Sequence, residues 1–382
     1  MLFSEILGHE AQKESLLDGV VKGRVPHAQL FVGPEGSGLL SMAIAYTQYV
    51  FCQNTGVENT GGNSSCNRKF EALSHPDLYF VYPTATNDRV KSKPVSRAFS
   101  EDWRVFVSEQ PYGSLFDWYQ HLGVENKQGQ IGVADAQEII NSLGLKSYEG
   151  GWKGVVVWGA DKLNMAAANK LLKMVEEPPE KTLILLITNQ EDQVLETLRS
   201  RCQITTFSAL PPQTIASGLV SKGCSKETAL QLAHQANGNY NLALSMFKNT
   251  ESPFEEWFVR WVRTAFKARG NKSAVLELMA WSQQIAGTGR ETQKQYLRYC
   301  IELFRQALIT NYGLKDLTHF VSQGDFDLEK FAPFVHNGNI FLIIKSLEDS
   351  FFHIERNGNA KMIFSELSLT LTRLIHTQPK LS

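Results

Sequence analysis

His27 to Leu40 read H-A-Q-L-F-V-G-P-E-G-S-G-L-L. Six residues with an apolar centre, Leu30-Phe31-Val32, run into a glycine-rich turn, and a helix-like stretch from Leu39 to Val50 follows. That is the strand, loop and helix setting of a phosphate-binding loop, whose pattern is G-x-x-x-x-G-K-[ST]. Gly33 and Gly38 hold the required spacing. Leu39 stands where a lysine would reach the β- and γ-phosphates, and Leu40 where a hydroxyl would hold Mg²⁺. The shape of a nucleotide site is kept and its chemistry is missing.

Outward from that loop, the first half of the chain alternates strands with helices. Leu16, Leu17, Val20 and Val21 recur at helical spacing before Gly23-Arg24-Val25-Pro26 ends the segment. His75 to Val81 predicts a second strand, Gly154 to Trp158 a buried one, Thr182 to Thr188 another, and Ile204 to Phe207 the last. Helices are expected at 133–145, at 164–177 up to Pro178-Pro179, and at 192–198. The stretch 87–130 reads as an irregular insertion whose aromatics, Trp103, Phe106, Tyr112, Phe116, Trp118 and Tyr119, pack on the domain. This alternation predicts an α/β domain with a mostly parallel sheet. After Leu210-Pro211-Pro212 the pattern is helical throughout, with short helices at 212–219, 225–235 and 241–247. Longer ones are expected at 254–267, 273–286, 292–312, 326–335, 339–352 and 360–376, as in a bundle.

Composition narrows the function. The chain has 382 residues, enough for two or three domains, with 43% hydrophobic and 20% charged residues. Net charge is −1 and the isoelectric point is near 6.8, so the chain as a whole is no electrostatic glue for nucleic acid. A nucleic-acid module built on the basic Arg89–Arg97 segment is disfavoured on the same ground. Five cysteines, at 52, 66, 202, 224 and 300, are an odd, scattered set. That argues against a secreted disulfide framework and for a reducing cytosol. No secretory signal and no membrane span are expected.

HAQLFVGPEGSG, SHPDLYFV, NMAAANKLLKMVEEPPEKTLILLIT and LRSRCQ occur in that order. Together they resemble the delta-prime family of bacterial DNA polymerase III clamp-loader subunits, within the AAA+ group. The likeness covers about the first 210 residues; the helical remainder fits the family without a sharp motif. It implies an AAA+ domain with a parallel sheet over residues 1–208, a small helical lid over 209–252 and an all-α collar for oligomerisation over 253–382.

The resemblance also assigns residues. Trp158 and Gly159 occupy the positions of the Walker-B acids, and Asp161 lies two residues further on. Asn241 replaces the lid arginine expected within Gly238-Asn239-Tyr240-Asn241, while sensor-like Thr188 and Asn189 remain. Losing lysine, hydroxyl, acids and lid arginine together leaves nothing to position a γ-phosphate, a metal and a water, so no intrinsic ATPase and no bound ATP are expected. Ser200-Arg201-Cys202 matches the family's S-R-C motif, which implies that Arg201 is an arginine finger reaching the ATP of a neighbouring subunit. The family's four-cysteine zinc module survives only as Cys52 and Cys66; Thr60 and Asn63 stand at the middle positions, so no zinc is expected. Implied partners are a gamma/tau-type ATPase subunit, the clamp-opening delta subunit and, through the complex, the sliding clamp and primed DNA, in the cytoplasm. The alternative is an active, divergent gamma/tau-like ATPase of the same complex.

Overall fold

The computed structural model describes residues 1–52, 65–248, 253–314, 320, 322 and 326–378. It divides into two compact units, one of residues 1–124 and 129–248, the other of residues 125–128 and 249–382.

The first unit is built on a five-stranded parallel sheet: β1 Ala28–Val32, β2 Leu78–Val81, β3 Lys153–Trp158, β4 Thr182–Thr188 and β5 Gln203–Thr206. The spatial order is β2-β3-β4-β1-β5, with Leu30 of β1 opposite Leu186 on one side and Ile204 on the other. The inner strands β1, β3 and β4 are buried throughout because both faces of the sheet are covered there, whereas the edge strand β5 is largely exposed. Leu183, Leu185 and Ile187 of β4 join the core that contains Phe31, while Ile184 and Leu186 join the opposite core with Leu30 and Val32.

The helices of this unit are α1 Glu10–Val21, α2 Leu39–Cys52, α3 Ser65–Glu71, α4 Ser100–Glu109, α5 Leu115–His121, α6 Val133–Gly144, α7 Met165–Glu176 and α8 Glu196–Arg199. They are followed by α9 Pro212–Ser221, α10 Lys226–Gln235 and α11 Tyr240–Phe247. The last three share a core of Leu210, Ile215, Leu219, Ala229, Ala233 and Tyr240, to which Tyr112 contributes. Asn164 caps α7 by accepting from Ala167 N at 2.8 Å. Buried Asp135 of α6 accepts from Ser96 N at 2.7 Å and Ser96 Oγ at 3.0 Å, tying the preceding segment to the domain.

The stretch 87–130 is more ordered than its composition implies. It contains α4 and α5, and the expectation of an irregular insertion is corrected there. Trp103, Phe106 and Val107 follow the i, i+3, i+4 spacing of a helix face and are buried. The aromatics pack on the domain as expected: Trp103 stacks on Tyr82 with centroids 4.1 Å apart, and its centroid lies 5.4 Å from those of both Trp118 and Trp158. The strand expected from His75 begins at Leu78 instead. Asp77 O still accepts from Gly154 N of β3 at 2.9 Å, while its carboxylate accepts from Ser147 Oγ, Tyr148 N and Glu149 N at 2.7–2.9 Å.

The second unit is helical: α12 Phe254–Lys267, α13 Lys272–Ala286, α14 Arg290–Asn311, α15 Leu328–Phe331, α16 Ile340–Glu355 and α17 Ala360–Leu374. The helix expected over 326–335 is a single turn followed by a tighter 3₁₀ turn, Ala332–Phe334, because Pro333 offers no N–H to continue it. Trp261 of α12 and Trp281 of α13 stack at 5.2 Å, and Trp261 Nε1 donates to Ser368 Oγ of α17 at 2.9 Å. Of the aromatic residues of α12, Phe258 and Trp261 are fully buried, whereas Phe266 is 45% exposed. No helix among the described residues is long and apolar enough to cross a membrane.

Candidate functional site

The loop after β1 is turned by Gly36 and Gly38, at φ +73° and +90°. Gly33 N donates to Thr188 O at 3.3 Å and Phe207 N to Val32 O at 2.7 Å, so the loop springs from the centre of the sheet. In a working phosphate loop the backbone amides face an open cradle. Here the chain's own side chains crowd the loop glycines. A Cβ on Gly38 would lie 2.7 Å from the Tyr112 ring, and one on Gly36 only 1.8 Å from Asn239 Oδ1. Tyr112 Oη accepts from Leu7 N at 2.8 Å, and its ring meets Tyr240 edge-on at 4.9 Å. Burial and the neighbouring Tyr240 raise the Tyr112 hydroxyl, and the bond from Leu7 opposes them; the result is about 12. Tyr240 N donates to Gly36 O at 3.1 Å.

His9 is bound to the same loop. Its Nε2 lies 2.9 Å from Ser37 O, a carbonyl that can only accept, so Nε2 carries the hydrogen. Burial pushes the His9 pKa below its ordinary 6.5, although the bond to Ser37 opposes the shift. Ser37 is fully buried, and Leu39 and Leu40 point into the core at 5% and 4% exposure. Leu39 Cδ2 would lie 3.4 Å from a Cβ on Gly33, so an apolar group stands beside the first glycine of the loop.

The other positions of a nucleotide site are equally committed. Trp158, at the acid position, packs on Trp103 and Phe106. Gly159 has φ +77°, and a Cβ there would lie 2.9 Å from Pro83 Cγ. Asp161 accepts from Thr188 Oγ1 at 2.8 Å and pairs with Lys162 at 2.9 Å. Asn189 Nδ2 donates to Gly33 O at 2.8 Å, and Asn241 Nδ2 to Asp117 Oδ2 at 2.7 Å. Thr188 and Asn189 thus meet Gly33 of the loop, whereas Asn241 is bound to Asp117. The residues that pack on the loop, His9, Tyr112 and Asn239, carried no signal of that role in the sequence.

Arg201 lies away from this loop. It precedes β5, whereas the loop follows β1, and β1 and β5 are parallel neighbours with Gln29 opposite Gln203 and Val32 opposite Thr206. Arg201 is therefore at the opposite end of the strands. Its Nε donates to the Glu176 carboxylate at the end of α7, and its Nη1 to Thr197 O at 2.7 Å. Its side chain is 37% exposed. Beside it, Ser200 Oγ donates to Thr197 O at 3.3 Å. Burial raises the Cys202 thiol to about 11, which keeps it protonated and inert.

Cys52 and Cys66 are joined by a disulfide, with Cα atoms 5.7 Å apart. Cysteine usage had argued for a reducing cytosol and gave no sign of this bond. The end of α2 and the start of α3 bring the two Cα atoms within bonding reach. Thr60 and Asn63 lie outside the described residues. Among the described residues no group of three or more His, Cys, Asp and Glu side chains has the geometry to hold a metal ion. His75 is engaged elsewhere: its Nδ1 accepts from Asp77 N at 3.2 Å and its Nε2 is 3.4 Å from Glu149. In the basic 89–97 segment, Arg89 pairs with Asp102 and lies over the Phe99 ring.

The chain is similar to DNA polymerase III subunit delta' of Bacillus subtilis (strain 168), at 30% identity over 236 residues, 62% of this chain and 58% of that protein. It is similar to DNA polymerase III subunit delta' of Escherichia coli (strain K12), at 25% identity over 80% of this chain and 77% of that protein. Likeness to DNA polymerase III subunit gamma/tau of Mycobacterium tuberculosis (strain ATCC 25618 / H37Rv) is 27% over 59% of this chain and 32% of that protein. The matched part thus spans 58% of the Bacillus protein's length. The family described as DNA polymerase III, delta subunit, is matched over residues 8–211, more than half of the chain, and the chain belongs to that family.

Proposed function

We propose that this chain is a non-hydrolysing subunit of the DNA polymerase III clamp loader, acting in the cytoplasm. Its AAA+ domain, lid and collar, residues 1–208, 209–252 and 253–382, assemble with gamma/tau-type ATPase subunits and a clamp-opening delta subunit. Arg201 supplies an arginine finger to ATP held by the neighbour, and the complex loads the sliding clamp onto primed DNA. One observation carries this reading. His9, Tyr112 and Asn239 crowd the chain's own glycine loop, whose lysine and hydroxyl positions hold leucines, while Arg201 stands at the other end of the sheet with its guanidinium partly in solvent. Neither ATP nor zinc is a cofactor in this reading.

The test is reconstitution with a gamma/tau-type ATPase, comparing the wild type with Arg201→Ala. Assembly is expected to be unchanged and ATP turnover lower, since fingers of this kind contribute on the order of 10³–10⁵ in kcat in other NTPases. Unchanged turnover would remove the finger role. The likeness to gamma/tau subunits favours a second reading, an active divergent ATPase. ATP turnover by the isolated chain, lost on Asp161→Ala, would establish it.

A further inference from the structure

Glu176 closes α7 immediately before Glu177-Pro178-Pro179, and its carboxylate accepts from Arg201 Nε. Thr197 O, in the last turn of α8, accepts from Nη1 at 2.7 Å, and Ser200 Oγ lies 3.5 Å from the same nitrogen. The guanidinium is therefore held along two of its edges. Among the described residues Nη2 has no hydrogen-bond partner. A free arginine samples many rotamers, and its planar fork is useful only when aimed. We propose that Glu176 is a positioning residue for Arg201: together with Thr197 O it fixes the guanidinium plane so that Nη2 is presented outward, towards an anionic phosphate group on the neighbouring subunit. This inference rests on the finger reading above.

The carboxylate suits the task better than a second carbonyl would. It accepts a charge-assisted hydrogen bond, which is stronger than a neutral one. It is carried on a helix whose course after Glu176 is stopped by two successive prolines, so its place is set by rigid backbone. The pair is largely exposed, at 37% and 45%, so it contributes little to stability. Its value lies in orientation, where a misplacement of about 1 Å can cost on the order of 10²-fold in rate.

The test uses the reconstituted complex with gamma/tau-type ATPase subunits and ATP. Glu176→Ala is expected to lower kcat about five- to tenfold with KM for ATP unchanged, because the finger acts on the transition state. Assembly and melting temperature are expected to stay as in the wild type. Glu176→Gln keeps an oxygen acceptor for Nε and is expected to recover at least half of the lost rate. If Arg201→Ala lowers turnover but Glu176→Ala does not, the positioning role falls and the finger reading stands. A rise in turnover on Glu176→Ala would make Glu176 a competitor for the finger and also overturn the proposal. If Arg201→Ala is without effect, both readings fall together.

Discussion

Asn239 Oδ1 lies over Gly36 so closely that a Cβ on the glycine would sit 1.8 Å from it. The same oxygen accepts from Leu242 N at 3.0 Å and caps α11. One side-chain atom thus both starts a helix and occupies the top of the degenerate loop.

Gly36→Ala is therefore expected to be expensive. An alanine at φ +73° pays about 1–2 kcal/mol for a left-handed backbone. Displacing Asn239 loses a helix cap worth about 1 kcal/mol. Chemical denaturation should show a loss of roughly 2–3 kcal/mol, the sum of these two terms. Asn239→Ala should cost only the cap, and the double variant should cost less than the two single losses added. Full additivity would mean the two residues do not meet.

Restoring the motif should not restore the chemistry. Leu39→Lys combined with Leu40→Thr places a lysine and a hydroxyl at positions now 5% and 4% exposed. The loss of apolar packing at Leu39 alone is expected to cost roughly 2–5 kcal/mol. A lower melting temperature with no ATP turnover by the isolated chain is the expected outcome. Turnover in that variant would show that the missing residues alone silence the loop.

The cysteines give a chemical count. With Cys52 and Cys66 joined, the unfolded, unreduced chain should offer three reactive thiols, at Cys202, Cys224 and Cys300. After reduction it should offer five, the number in the sequence. For a loop of this length, chain entropy predicts that Cys52→Ser lowers stability by about 3 kcal/mol under non-reducing conditions. Five reactive thiols without reductant would contradict the bond.

Stability should fall in mild acid. Burial lowers the pKa of both His9 and His75 below 6.5, against smaller opposing effects from Ser37 O for His9 and from Glu149 for His75. Between the lowered native values and 6.5 the unfolded chain binds more protons than the folded one. Their contribution is complete above pH 6.5 and is lost as pH falls through the native values. Thermal melting at a series of pH values should show this slope. His9→Gln, whose side-chain amide can still donate to Ser37 O, should flatten it. An unchanged slope in His9→Gln and in His75→Gln alike would rule out these imidazoles as its source.

Much of the first unit was legible because its inner strands are buried on both faces. Gly154–Trp158 and Thr182–Thr188 read as unbroken apolar runs and form β3 and β4. The turn after β1 and its nearness to the end of β4, where Thr188 and Asn189 meet Gly33, followed from the strand and glycine pattern. The helices α4 and α5 were not seen, since aromatics crowd that stretch and hide the three-to-four residue period that Trp103, Phe106 and Val107 in fact keep. The crowding of the loop was invisible for a different reason. His9, Tyr112 and Asn239 come from three distant parts of the chain, and each has an ordinary local role as a helix end, a turn residue or a cap. Glu176 stood inside a recognised motif, but its bond to Arg201 depends on the docking of α7 against α8. The disulfide was hidden because two cysteines separated by 14 residues do not announce a pairing.

The tryptophans carry one more consequence. Trp103, Trp118 and Trp158 lie together in the first unit, and Trp261 and Trp281 form a stacked pair in the second. Parallel indoles 5.2 Å apart couple their electronic transitions, while the edge-on and tilted rings of the first cluster couple differently. Each unit is thus expected to give its own signal in the near ultraviolet. The order in which the two come apart on heating can be followed on the unlabelled chain, and Trp281→Phe should erase one signature while sparing the other.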